Sequence, residues 1–343
     1  MKKLLLIATG GTIASKYTEK GLAPRISSEE LLTYVPEAAA FCEVDTVQPF
    51  NLDSTNISSR EWLMLAELIE KKYEYYDGYV ICHGTDTMAY TAAALSYLIQ
   101  NNLKPIVITG SQRPIDLAIT DARANLLDSL RFAAHPKAHG VNIVFGGTVI
   151  AGTRAKKERS KSYHAFSSIN YPDIAVIQDN RIAFYIDDKY SVTDRIRFYH
   201  ELNDRVFVLK LIPGSAGAVI DAISGNADAL IIESFGVGGL PDYGDNDFYH
   251  AVSRFIEKGK TVIMATQVTR EGSDMSVYQV GKMIKNEFSL LESYDMTLEA
   301  VVAKTMWALK YSRDRGEFRE NFYKKINRDI IFSPDQGNED FII

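Results

Sequence analysis

Cysteine is scarce. The 343 residues include two, Cys42 and Cys82. Two thiols cannot staple a chain this long, so no disulfide framework is expected. They also lack the spaced cysteine and histidine company of a zinc site, and no metal is expected. Buried free thiols in a reducing compartment is the reading that remains. Long apolar runs are missing too, and nothing approaches the ~20 residues of a membrane span. Met1-Lys2-Lys3 followed by Leu4–Ala8 imitates a secretion signal. That apolar run has five residues and meets Thr9-Gly10-Gly11, whereas a signal core needs about 7–15 and a cleavage site. A buried strand fits better, and a cytoplasmic protein with no membrane partner is expected. Nor is there an excess of positive charge: 38 Lys plus Arg face 44 Asp plus Glu, a net −6. The densest basic stretch, Lys156 to Lys161, is interrupted by Glu158 and Ser160. Nucleic-acid binders concentrate cations to displace counterions, so nucleic acid is excluded as the main partner.

What is present is the composition of an ordinary globular protein, 46% hydrophobic and 24% charged. The length predicts two domains, because single cores rarely grow past roughly 250–300 residues. The first half repeats one pattern: a short apolar run, a Gly/Ser/Thr turn, then a helix. Leu4–Thr9, Val80–Cys82, Pro105–Thr109 and Val141–Phe145 are the runs. Being apolar throughout, they predict strands covered on both faces. Ser58 and Glu61 form a capping-box pattern. Trp62, Leu65, Ala66, Ile69 and Tyr73 follow at helical spacing, as do Met88, Ala92, Leu95 and Ile99, and a further helix opens at Asp121. The rhythm breaks over 188–204, read as a linker, and resumes at Val206–Ile212, Ala229–Ile232 and Thr261–Ala265, with helices around Thr297–Leu309 and Phe318–Ile326. The expected fold class is α/β: two α/β domains with mainly parallel sheets, a larger doubly wound N-terminal domain over 1–187 and a smaller one over 205–343. Ligands of such sheets sit at the carboxyl ends of the strands. The turns Thr9–Thr12, His83–Asp86 and Gly110–Pro114 therefore open onto one crevice.

Each candidate residue has a plain structural reading beside the chemical one. Thr12 follows two glycines that permit a sharp turn and close approach of a ligand; otherwise it caps a helix. The segment is no phosphate-binding loop, since no Gly-Lys-Ser/Thr follows. Thr85 and Asp86 repeat the arrangement, with a turn and an N-cap as the plain alternative. His83 reads as a packed histidine behind the site, because no Ser/His/Asp pattern surrounds it. Lys157, in Gly152–Lys157, is by composition a solvated turn. As a base it would have to be held neutral, which costs an ordinary lysine about 4.6 kcal/mol at pH 7. Otherwise it stays charged and stabilises negative charge developing on Thr85.

The combination is more specific than its parts. TGGTIAS (9–15) and HGTDTMAYTAAALS (83–96) closely resemble the two signature stretches of the bacterial-type L-asparaginase family. The likeness continues through ITGSQRPI (108–115), GTRAKK (152–157), INYP (169–172), KLIPG (210–214), SFGVGGLP (234–241) and ATQ (265–267). It resembles the cytoplasmic type I branch. The resemblance implies hydrolysis of L-asparagine to L-aspartate and ammonia without cofactor, in a homodimer or homotetramer. It implies Thr12 as nucleophile and Thr85, Asp86 and Lys157 as a second catalytic set. Asp86 would also bind the substrate ammonium. Asp53, Ser54 and Thr55 match the loop that holds the α-carboxylate, with Ser54 the binder. Gly84 lines the substrate, and the backbone at Ser111 faces its amide.

Two positions depart from the family pattern. The family's loop tyrosine lies ten residues after the nucleophile, where this chain has Leu22. Either Tyr17, nearby in the same loop, activates Thr12, or another group does. His164 stands where relatives carry aspartate. Three rival functions stay open: a broad glutaminase-asparaginase, since one methylene is worth only about 1–3 kcal/mol of discrimination; the amidase subunit that feeds ammonia to tRNA-dependent amidation, which usually has an additional N-terminal domain; and a non-catalytic amino-acid sensor.

Overall fold

The computed structural model describes residues 1–19, 21–187, 195–241, 247–277 and 290–332. The chain divides into two compact units, Met1–His200 and Glu201–Ile343. Within the expected linker, residues 188–194 lie outside the described residues.

The first unit has strands β1 (Lys2–Ala8), β2 (Ser15–Thr18), β3 (Gly21–Pro24), β4 (Cys42–Val47), β5 (Gly78–Cys82), β6 (Ile99–Gln100) and β7 (Pro105–Thr109). They are followed by β8 (Gly140–Phe145), β9 (Thr148–Ala151), β10 (Ala155–Lys157), β11 (Phe166–Ser168), β12 (Ala175–Gln178), β13 (Arg181–Phe184) and β14 (Arg197–Phe198). Its helices are α1 (Ser28–Thr33), α2 (Ser59–Lys72), α3 (Met88–Leu98) and α4 (Ala122–Ala134). Eight strands form the main sheet in the order β13-β12-β9-β8-β7-β5-β1-β4. From β8 to β4 neighbours run parallel; β9, β12 and β13 add an antiparallel edge.

The four apolar runs are the central strands for the expected reason. Leu4, Leu6, Val80, Cys82, Val107 and Val144 share one core with Leu126 and Leu130 of α4 and Leu31 of α1. The alternate residues Leu5, Ile7, Ile81, Ile106 and Ile108 are equally buried, and α3 packs on β7 and β8. The sheet is thus covered on both faces, the doubly wound arrangement. The capping box is formed: Ser58 N–H donates to Glu61 Oε2 at 2.9 Å. Two helices end earlier than their apolar spacing predicts. Ile99 leaves α3 to pair, as β6, with β14, and Tyr73 is the C-cap of α2, its ring stacked on Tyr79.

The second unit has a parallel four-stranded sheet in the order β15 (Val206–Lys210), β16 (Ala229–Ser234), β17 (Thr261–Thr266) and β18 (Leu291–Glu292). Its helices include Asp247–Glu257, which buries Phe248, Ala251, Val252 and Phe255, and Leu298–Lys310, capped by Thr297. A fully buried ion pair, Lys304 Nζ to Asp329 at 2.6 Å, ties the last helices to the segment that follows them. Lys304 also donates to the Lys324 carbonyl, and Asp329 accepts from Ile326 N–H, which satisfies the groups that burial would otherwise penalise. Both units are α/β with mainly parallel sheets, the N-terminal one larger. Among the described residues no helix is long and apolar enough to cross a membrane.

Candidate active site

The carboxyl ends of β1, β5 and β7 carry the three turns that the sequence singles out. They are laced together by main chain: Thr9 N–H donates to the Cys82 carbonyl at 3.0 Å and His83 N–H to the Thr109 carbonyl at 2.8 Å. The loop bearing Ser54 joins from the other side, with Gly11 N–H on the Leu52 carbonyl at 3.0 Å.

Glycines let these turns touch. Gly11 has φ +74°, and a Cβ there would lie 2.3 Å from Gly84 N. A Cβ on Gly84 would lie 2.6 Å from Ser54 Oγ and 3.2 Å from Gly11 Cα. A Cβ on Gly110 would lie 2.2 Å from the His83 carbonyl oxygen. Thr12, Ser54 and Thr85 are therefore brought to one place by close contacts that only glycine allows. Gly11→Ala should lower amide-hydrolysing activity at least 100-fold and the thermal midpoint by several degrees, because the strained φ and the clash add. Melting followed by circular dichroism, beside an ammonia assay, checks this; an unchanged variant would mean that the turns do not meet.

Lys157 closes the cluster. It lies in β10, paired with Phe166 of β11. Its Nζ is 2.8 Å from Thr85 Oγ1 and 2.6 Å from Asp86 Oδ1, with the lysine side chain 19% exposed and the aspartate 57%. The plain readings of both residues fail here. Lys157 is not a solvated turn, and Asp86 does not cap α3, whose N-cap is Thr87, its hydroxyl donating to the Ser54 carbonyl and not capping the helix. Thr85 itself is buried, and its backbone N–H has no partner among the described residues.

Thr12 starts a short 3-10 helix and is half-buried. No described residue hydrogen-bonds its hydroxyl. Ser54 is buried, and its Oγ accepts the Asp86 N–H at 3.3 Å while its own proton has no acceptor among the described residues. Asp53 and Thr55 are turned towards each other: Asp53 Oδ1 accepts both the N–H and the hydroxyl of Thr55 at 2.9 Å. They build the turn that presents Ser54. Ser111 is buried with its hydroxyl on the Arg113 carbonyl at 2.5 Å. Tyr17 is 66% exposed in the β2–β3 hairpin, where its register partner is Leu22. His164 is exposed, with its N–H on Ser162 Oγ and its carbonyl accepting from Arg159; nothing in the structure explains the departure from aspartate.

Two supports are not legible as site residues in the sequence. Asp121 does more than open α4. Its buried carboxylate accepts from the backbone N–H groups of Gln112 and Arg113, and from Asn125 Nδ2, which also bonds the Gly110 carbonyl. The segment beside Ser111 is thereby fixed. Behind Thr85, His83 is fully buried, and Trp62 and Thr91 join it in a chain of hydrogen bonds. Their spacing on separate helices gave no motif. Among the described residues no three His, Cys, Asp or Glu side chains gather as a metal site would require.

The N-terminal asparaginase family model matches residues 3–190, and the glutaminase/asparaginase C-terminal domain model matches 205–322. An L-asparaginase of Thermococcus kodakarensis is 36% identical, over 96% of this chain and 100% of its own. Its solved structure superposes with a TM-score of 0.89. L-asparaginase I of Vibrio cholerae is 28% identical with a TM-score of 0.85, covering 96% of this chain and 99% of its own. A glutamyl-tRNA(Gln) amidotransferase subunit of Pyrococcus abyssi is 31% identical, over 93% of this chain and 75% of that protein. The matches define a two-domain enzyme of the glutaminase/asparaginase class. The chain belongs to the asparaginase family.

Proposed function

We propose that this enzyme hydrolyses L-asparagine to L-aspartate and ammonia through an ester formed on Thr12. The observation that carries the proposal is the meeting of Gly11, Gly84 and Ser54, which gathers the turns bearing three hydroxyls (Thr12, Ser54 and Thr85), a carboxylate and a lysine. A zwitterion needs an anion for its ammonium and a donor for its carboxylate. Asp86, more than half exposed beside Lys157, supplies the first, and the uncommitted proton of Ser54 the second.

Thr12 Oγ attacks the side-chain amide carbon, forming a carbon–oxygen bond. The carbon–nitrogen bond breaks, and the proton from the Thr12 hydroxyl ends on the departing ammonia. Water then splits the ester and restores the hydroxyl, so no redox partner is required. The Thr85 N–H, without a partner among the described residues, is a donor available to the developing oxyanion. The Lys157 ammonium, donating to Thr85 Oγ1, stabilises the negative charge that builds on that oxygen while Thr85 shares its proton with the departing nitrogen; the proton returns to Thr85, so none is lost there.

Tyr17 is the candidate to relay the Thr12 proton, its phenol oxygen accepting it while its own O–H proton passes on to the departing nitrogen, since its register position is opposite Leu22, where the family has its loop tyrosine. Tyr17→Phe should lower kcat about 10²-fold or more, with KM within a few-fold of wild type. A wild-type rate in a stopped-flow ammonia assay would assign proton transfer to another group.

The test of the whole reading is ammonia release from L-asparagine and L-glutamine, with and without a chelator. Comparable turnover of both amides would favour a glutaminase-asparaginase. Saturable asparagine binding without turnover would favour a sensor and overturn the proposal. A homo-oligomer working in the cytoplasm completes the proposal; the buried free thiols Cys42 and Cys82 suit a reducing compartment.

A further inference from the structure

The N–H offered above to the oxyanion belongs to the Gly84–Thr85 peptide. Gly84 has no side chain, and it meets Gly11 through Cα and Ser54 through the serine side chain. A glycine peptide reverses easily. Reversal would turn the Thr85 N–H away from the crevice. Something must hold this plane, and one hydrogen bond does so: His83 Nδ1 lies 2.7 Å from the Gly84 carbonyl oxygen.

That carbonyl can only accept, so Nδ1 must carry a proton. Burial pushes the His83 pKa down to about 4, so the ring is neutral at physiological pH and Nε2 is a bare acceptor. Thr91 Oγ1 lies 2.9 Å from Nε2, and Trp62 Nε1 lies 2.9 Å from Thr91 Oγ1. The indole N–H can only donate. It therefore occupies the Thr91 oxygen as acceptor and directs the hydroxyl proton at Nε2. Every donor in this relay has one acceptor: Trp62 to Thr91, Thr91 to His83, His83 to Gly84.

We infer that Trp62, Thr91 and His83 are positioning residues, a tautomer-fixing relay that aims the Thr85 N–H at the oxyanion of the reaction. The inference rests on the amide hydrolysis proposed above and extends it to three side chains that touch no substrate. An oxyanion donor acts chiefly in the transition state. Its misalignment therefore lowers kcat while substrate binding, through Asp86 and Ser54, is kept.

The experiment compares wild type with Thr91→Val, which removes the hydroxyl at equal volume, and Thr91→Ser, which retains it. Thr91→Val is expected to lose ~10–100-fold in kcat for L-asparagine with KM within twofold, and Thr91→Ser to return within threefold of wild type. Wild-type kcat in Thr91→Val overturns the inference. So does a loss of stability with parallel changes in kcat and KM that serine does not restore, since that is a packing effect. A second arm is independent of turnover. In protein carrying ¹⁵N-histidine, the resonance that disappears in His83→Gln should report protonated Nδ1 and bare Nε2 from pH 5 to 8. Protonated Nε2 overturns the relay whatever the kinetics. A wild type with this tautomer but no ammonia release would instead overturn the hydrolysis reading and, with it, the catalytic purpose of the relay.

Discussion

Thr12→Val is expected to remove ammonia release almost entirely, by about 10⁴–10⁶-fold in kcat. Losing a nucleophile leaves only positioning and electrostatic stabilisation, and the drop corresponds to about 5–8 kcal/mol of barrier. Stability should hardly respond. The substitution is close to isosteric, the residue is half-buried, and no described residue hydrogen-bonds its hydroxyl. A thermal midpoint within about 2 °C of wild type, beside absent turnover, is the combined outcome. Calorimetry on the same preparation used for the assay checks both. Mass spectrometry of acid-quenched enzyme adds a direct reading: wild type under substrate should carry an adduct on the peptide containing Thr12, and the valine variant should carry none. Turnover surviving in Thr12→Val would transfer the nucleophile's role to one of the other alcohols in the cluster, Thr85 or Ser54.

Lys157→Met should cost about 10²–10⁴-fold in kcat. The substitution preserves the aliphatic stem and deletes the ammonium that lies 2.8 Å from Thr85 Oγ1 and 2.6 Å from Asp86. Without it, negative charge must build on a buried hydroxyl oxygen with no positive charge beside it. KM should move less than about fivefold, because Asp86 remains to meet the substrate ammonium. The ion pair is partly exposed, so its removal should cost no more than about 1 kcal/mol of stability. Steady-state kinetics on the folded variant decide the matter; a kcat near that of wild type would exclude Thr85, Asp86 and Lys157 as a working set.

Much of this architecture is legible in the order of the amino acids. Strands such as β5 and β7 are buried at every position and carry no charged residue because both faces are covered, and a half-exposed strand would alternate instead. The edges were not legible. β4, Cys-Glu-Val-Asp-Thr-Val, mixes charge with apolar residues because it is paired on one side only, and β12 and β13 alternate or lie half-exposed. Helix ends also escaped, since Ile99 serves equally well as the next apolar position of α3 and as a residue of β6. At the site, family motifs pointed to the residues that come together. They did not reveal that Asp53 and Thr55 bond each other, that Asp121 holds the Gln112 and Arg113 backbone, or that Trp62 and Thr91 stand behind His83. Such partners lie 29 residues apart for Trp62 and Thr91, and only tertiary packing joins them.

The stacked glycines also bound how this enzyme can be altered. No mutation at 11, 84 or 110 can add a contact to a new substrate, because any side chain there would first displace neighbouring backbone or, at 84, the Ser54 side chain. Libraries aimed at other amides would be better spent on the exposed hairpin carrying Tyr17 and on the turn presenting Ser54. Drift within this lineage should be confined to the same places, with the floor of the pocket frozen and its walls free to vary.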